Sequence, residues 1–85
     1  MYYVYILLSE FDRKFYTGSS PDLKRRSRQH CDGKVPSTRS RRPLTLIYYE
    51  ACLEKSDAIR REKYLKTGMG KRYLRNRLRA HLEKL

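Results

Sequence analysis

Two stretches near the N-terminus, Tyr2-Tyr3-Val4-Tyr5-Ile6-Leu7-Leu8 and Phe15-Tyr16-Thr17-Gly18, decide the fold of this chain. Both are rich in aromatic and β-branched residues, which fit a pleated, packed surface. The polar stretch Ser9-Glu10-Phe11-Asp12-Arg13-Lys14 between them is long enough for a hairpin connection, so the pair reads as two neighbouring antiparallel strands. Side chains alternate along a strand, which puts Val4, Ile6 and Leu8 on one face and Tyr3, Tyr5 and Leu7 on the other. Both faces are apolar, as a strand covered on both sides requires. The hairpin is expected to carry Tyr5 and Tyr16 side by side, and one face of the sheet is then rich in tyrosine.

Outward from the hairpin, Ser19-Ser20-Pro21-Asp22-Leu23 has the form of a helix start, with a serine cap, proline in the first position and an aspartate in the first turn. The helix should run to about Cys31 and stop near Gly33. Leu23, Arg26 and His30 are spaced by three and then four, so they share a face, while Lys24, Arg25 and Arg28 look outward. Residues 33–43 have no hydrophobic period and two prolines, and read as a loop carrying Lys34, Arg39, Arg41 and Arg42. Residues 44–51, Leu-Thr-Leu-Ile-Tyr-Tyr-Glu-Ala, read as a third strand. Residues 56–66 read as a helix capped by Ser56, with Gly68 just past its end, and Glu62 falls within the apolar stripe of Ala58, Ile59 and Leu65. Residues 71–85 place Tyr73, Leu74, Leu78, Leu82 and Leu85 at helical spacing. The expected architecture is a single α/β (α+β) domain over residues 1–85: a small, mainly antiparallel three-stranded sheet flanked by three helices, in the order β-β-α-β-α-α.

Twenty-one Lys and Arg against nine Asp and Glu give a formal net charge of +12 on 85 residues. Such an excess repels itself and calls for an anionic partner, and nucleic acid is the commonest polyanion for a domain that is basic along most of its length. DNA is the expected partner, with RNA open. No apolar run approaches the roughly 18 residues of a membrane span, and the N-terminus lacks the basic region and cleavage site of a signal peptide, so a cytoplasmic protein with no membrane partner is expected. In that compartment Cys31 and Cys52 are expected as reduced thiols. Gly68-Met69-Gly70-Lys71 lacks the four-residue gap and the following Ser or Thr of a Walker A loop. No small-molecule cofactor is indicated.

Glu62 is the most informative polar residue, because an ionised carboxylate among aliphatic side chains needs a cation or several donors. It either pairs with a nearby arginine, sits at the helix rim, or holds a divalent metal together with water and phosphate oxygens. Arg26 and His30, and likewise Tyr5 and Tyr16, are each open to a structural or a catalytic role. A zinc site from His30, Cys31, Cys52 and His81 has suitable ligand types without paired spacing.

Val4-Tyr5-Ile6, followed by Tyr16-Thr17-Gly18 with ten residues between Tyr5 and Tyr16, resembles the paired tripeptides of the GIY-YIG nuclease family. Arg26 followed four residues later by His30 resembles that family's first-helix motif, and Ala58-Ile59-Arg60-Arg61-Glu62 resembles the segment bearing its metal-binding glutamate. The likeness covers residues 2 to about 66, and the rest is similar to the small single-domain bacterial branch of predicted endonucleases. Val4 stands where the motif has glycine, and Thr17 where it has isoleucine. The resemblance implies a metal-dependent endonuclease acting on DNA, with a possible role in repair or recombination. It implies Glu62 as ligand of Mg2+ or Mn2+, Arg26 as the group neutralising the phosphorane, Tyr5 as general base once nearby cations lower its pKa, and Tyr16 and His30 orienting water and phosphate. Lys24, Arg25, Arg28, Arg39, Arg41 and Arg42 would hold the nucleic-acid backbone. The other reading is a DNA- or RNA-binding module on the same fold without catalysis.

Overall fold

A computed structural model describes residues 1–85. Strand β1 (Tyr2–Ser9) lies between β2 (Phe15–Ser20) and β3 (Leu44–Cys52), antiparallel to both. Its central place follows from its two apolar faces. On one side Val4 and Ile6 pack with Ala58, Leu65 and Leu74, which come from α3 (Lys55–Leu65) and α4 (Gly68–Arg77). On the other, Tyr5 and Leu7 pack with Leu44, Tyr16, Leu46 and Leu23 of α1 (Leu23–Cys31). The sheet is therefore covered on both faces, as its alternation requires.

Two further helical segments complete the order β-β-α-α-β-α-α-α. A single turn, α2 (Pro36–Arg39), interrupts the expected loop, opened by a proline whose fixed φ suits a first helical turn. The C-terminal helix breaks at Leu78 and resumes as α5 (Arg79–Leu82). No residue of α5 is buried, so no packing holds one continuous helical register through the break. No helix is long and apolar enough to cross a membrane.

Helix starts differ in detail from the sequence signals. Asp22, not a serine, caps α1, accepting the Arg25 N–H at 3.0 Å, and Pro21 precedes the helix. Helix α3 begins one residue before Ser56 with no side-chain cap. Gly68 opens α4 instead of closing α3, behind Thr67, whose hydroxyl accepts the Gly70 N–H at 3.1 Å.

Strand register determines what faces what. Tyr5 lies opposite Gly18, and Leu7 opposite Tyr16, so the two tyrosines share a face as diagonal neighbours instead of sitting side by side. The Tyr5 phenol lies across the bare Cα of Gly18: a Cβ there would fall 2.5 Å from Tyr5 Oη. On the other edge the register slips between Ile6 and Leu7, which pair with Tyr48 and Leu46 and leave Ile47 as an extra residue. This bulge turns Tyr48 toward the α3 side with Ile47, and so puts Tyr49, opposite Tyr5, on the α1 face.

Candidate active site

The candidate site is built where the end of the edge strand β2 meets α1 from one face of the sheet and α3 from the other. Tyr5 is 1% exposed, and its hydroxyl lies 2.9 Å from His30 Nε2. His30 is fully buried, and its Nδ1 is 2.7 Å from Thr38 Oγ1 of α2. The Thr38 hydroxyl also reaches the Val35 carbonyl at 3.5 Å; in the tautomer that carries its proton on Nδ1, His30 donates to Thr38 and accepts from Tyr5 at Nε2. Tyr16 packs on the same imidazole, with ring centroids 5.0 Å apart. Helical spacing brings Arg26 to the face that carries His30, where its guanidinium acts on the Tyr5 phenol while Nη1 donates to Gln29 Oε1 at 3.2 Å.

Glu62 approaches from α3. Its Oε1 accepts from Ser19 Oγ at 2.5 Å, and its Oε2 is 2.8 Å from Lys66 Nζ one turn further along the helix. Inward direction was legible in the sequence. The partners were not: they are a serine and a lysine, while the nearby Arg61 is committed to Glu50 by a two-pronged ion pair at 2.8 and 3.0 Å. Ile59, expected in the same apolar stripe, is exposed.

Burial sets the electrostatics. It pushes the Tyr5 phenol above its ordinary value, and the Arg26 hydrogen bond opposes this without cancelling it. Tyr5 is thus not lowered toward neutrality in the free protein, contrary to what a general base needs. Burial, helped by the Arg26 charge, lowers His30 to about 4, so the imidazole is neutral at pH 7. Burial raises the Glu62 carboxyl, but the Lys66 and Ser19 hydrogen bonds outweigh it and hold the group ionised below the usual carboxylate range.

A pH dependence of stability follows. Between pH 4 and about 6.5 the unfolded chain protonates His30 and the folded chain does not, so acid favours unfolding across that window. The full loss is about 3 kcal/mol. We expect the melting temperature to fall by roughly 10 °C from pH 7 to pH 4.5. In His30→Gln the part of that fall above about pH 5 should be absent, because the paired carboxylates of Asp12, Glu50 and Glu62, all lowered in the folded protein, add their own loss only as the unfolded chain begins to protonate, from about pH 5 downward. Parallel melting curves for the two proteins would remove His30 as the cause.

Similarity to known proteins can now be set beside this geometry. The family model for the GIY-YIG catalytic domain matches residues 1–74. The chain belongs to the GIY-YIG family. It is 40% identical over 67 residues to a UPF0213 protein of Staphylococcus haemolyticus, covering 78% of this chain and 80% of the relative. A UPF0213 protein of Clostridium perfringens is also 40% identical over 67 residues, covering 78% and 71%. The solution structure of the UPF0213 protein BH0048 from Bacillus halodurans superposes with a TM-score of 0.54 at 37% identity, over 87% of this chain and 82% of that one. Within this GIY-YIG chain the tyrosines of both tripeptides meet at the α1 histidine, the α1 arginine shares that helix face, and the α3 glutamate bonds Ser19, the neighbour of the Gly18 that lies opposite Tyr5.

The family association with divalent metal can be tested against the donors present. No group of three or more His, Cys, Asp and Glu side chains could hold a metal, and His30 has both ring nitrogens engaged, which removes the four-ligand zinc arrangement. Both cysteines are free. A single ionised carboxylate fits magnesium or manganese, which keep waters and take further oxygens from a phosphate. Glu62 meets that requirement provided the exposed Lys66 arm gives way.

Six basic residues were expected along the nucleic-acid backbone. Lys24, Arg25 and Arg28 are exposed on α1, and Arg25 and Arg26 line a groove of about 350 Å³ with Ser19, Ser20 and Gln29. Arg41 differs: Nε is 2.8 Å from Asp12 Oδ2, and the same guanidinium donates to the Lys14 and Phe15 carbonyls, so it fastens the β1–β2 turn. Arg39 and Arg42 are exposed, each with Nε on a backbone carbonyl, of Gly33 and Arg39 respectively. Ser19, Gln29 and Thr38 were missed in the sequence, where nothing marks them, because each matters only through a partner distant in the chain or one helical turn away.

Proposed function

We propose that this chain binds nucleic acid and hydrolyses its phosphodiester bonds at the site formed by Tyr5, Tyr16, Arg26 and Glu62. Binding is supported by the net charge of +12 and by the exposed cations of α1 beside the groove. Hydrolysis is supported by one observation: the Tyr5 hydroxyl is hydrogen-bonded to the buried His30 ring, with Arg26 on the same helix face acting on the phenol and the Glu62 carboxylate on the neighbouring strand's Ser19. Tyr5 is placed to take a proton from an attacking water, its phenolate favoured by the Arg26 charge and by the metal ion that Glu62 would hold. His30 holds the phenol from behind, with no surface of its own to offer water or phosphate. Arg26 neutralises charge gained by the phosphate as it becomes pentacoordinate. A magnesium or manganese ion held by Glu62 would stabilise charge on a non-bridging oxygen and the leaving oxygen.

Binding without hydrolysis is the second reading, and two observations favour it: Tyr5 is buried with a raised pKa, and Lys66 already occupies one Glu62 oxygen. A panel of labelled branched, nicked, single-stranded and duplex DNA, with single-stranded RNA, assayed with and without Mg2+ separates the readings. Metal-dependent cleavage of any substrate is the expected result. If about five phosphates are neutralised, log affinity falls with log salt at a slope of roughly −4. That slope with no cleavage in Mg2+ or Mn2+ selects the binding module, and a flat salt dependence removes both readings.

A further inference from the structure

A second groove, of about 550 Å³, adjoins the Arg25–Arg26 groove and shares Pro21 and Asp22 with it. It lies between the start of α1 and the tyrosine-rich face of the sheet, lined by Tyr3, Tyr49 and Leu46 from the strands and by Leu23, Lys24 and Ser27 from the helix. Tyr3 and Tyr49 meet edge to face, centroids 6.0 Å apart and planes at 66°. The Tyr49 ring is thereby braced while remaining 54% exposed. The bulge at Ile47 is what turns this residue onto the α1 face. Asp22, the acid in the groove, spends its carboxylate on the Arg25 N–H as the helix cap.

We propose that this groove takes an unpaired nucleobase of the bound strand, stacked on Tyr49, with Lys24 on an adjoining phosphate. The substrate class is then nucleic acid with a single-stranded nucleotide close to the scissile bond. An aromatic face is what every base can stack on regardless of sequence, and a cation beside it suits the phosphate that each base brings. Bases inside an intact duplex are already stacked on both sides and cannot enter. Pro21 and Asp22 line both grooves, so the two adjoin, and one strand crossing them would run from the stacking platform to Arg26. The inference rests on the nucleic-acid reading above.

The chain has no tryptophan, so Tyr49→Trp introduces a lone indole at the platform, excited selectively over the tyrosines at the red edge of its absorption. Wild type, Tyr49→Ala and Tyr49→Trp are titrated at low salt with oligothymidylate, an abasic oligonucleotide of equal length and a blunt duplex. Tyr49→Ala should bind oligothymidylate about tenfold more weakly, and the abasic strand and the duplex within twofold of wild type. The introduced indole should be quenched by oligothymidylate and not by the other two. Equal affinity of wild type and Tyr49→Ala for oligothymidylate, or equal quenching by all three, overturns the stacking proposal while leaving nucleic-acid binding in place. Failure of the wild type to bind any of the three overturns both.

Discussion

Glu62→Gln should lower Mg2+-dependent cleavage by about a thousandfold or more while binding of the same DNA changes less than twofold. The amide keeps an oxygen to accept from Ser19 Oγ, so the local hydrogen bond survives, and Glu62 is only half-buried at the rim of α3. What disappears is the ionised oxygen that a divalent cation needs. Several kcal/mol of transition-state stabilisation depend on such an ion, which is the stated thousandfold. Glu62→Ala should behave alike. Arg26→Ala should cost about 10²- to 10³-fold by withdrawing the charge closest to Tyr5, and it should also let the Tyr5 pKa rise further. Binding is a separate readout because the exposed α1 cations remain. Wild type, Glu62→Gln and Glu62→Ala nicking at equal rates would end the metal role of Glu62, and a loss confined to binding would place Glu62 in the docking surface.

The faces of the elements are legible in the sequence because they obey short-range periodicities, whereas gathering Tyr5, Tyr16, Arg26, His30 and Glu62 into one site rests on the resemblance to the GIY-YIG motifs. Apolar residues at every position from Val4 to Leu8 put β1 in the middle of the sheet, and three-then-four spacing put Arg26 and His30 on one helix face. Strand registers are another matter. Placing Tyr5 opposite Gly18 instead of Tyr16 depends on the geometry of the Ser9–Lys14 turn, where Arg13 adopts φ 62° and the buried Ser9 hydroxyl gathers the Phe11 and Asp12 N–H groups. The bulge at Ile47 leaves no trace in Leu44-Thr45-Leu46-Ile47-Tyr48-Tyr49, which reads equally well as strict alternation. The resemblance puts His30 beside the phosphate, and a helix histidine spaced from an arginine says nothing of what lies behind it. Thr38, from a turn read as loop, supplies that backing and holds the ring inside. Arg41 shows the limit of composition: in sequence it is one of four cations in an exposed-looking segment, and only the fold brings Asp12 to it across 29 residues.

Gly70→Ala should be among the most destabilising single substitutions in the chain, at about 3 kcal/mol and a fall in melting temperature of roughly 15 °C. Helix α4 starts so soon after α3 that the Gly70 Cα rests on the last turn of the preceding helix. A Cβ there would run into the Tyr64 carbonyl and lie 2.5 Å from Leu65 Cα. These are backbone atoms, so no change of rotamer relieves the overlap, and the corner between α3 and α4 must open. Leu65 and Leu74, both fully buried, stand on either side of that corner against Val4 and Ile6. Gly68 supplies the contrast within the same tripeptide: a Cβ there meets nothing within 4 Å, so Gly68→Ala should leave stability unchanged or raise it by about 0.5 kcal/mol through a less flexible unfolded chain. Thermal melts of the two variants within a degree of each other would refute the packing account. Opening the corner also rotates α3, which carries Glu62 away from Ser19, so Gly70→Ala should lose cleavage at temperatures where it is still folded. The two glycines that superficially suggest a phosphate loop therefore have a different use: one is needed for the crossing of two helices, and through that crossing for the position of the carboxylate.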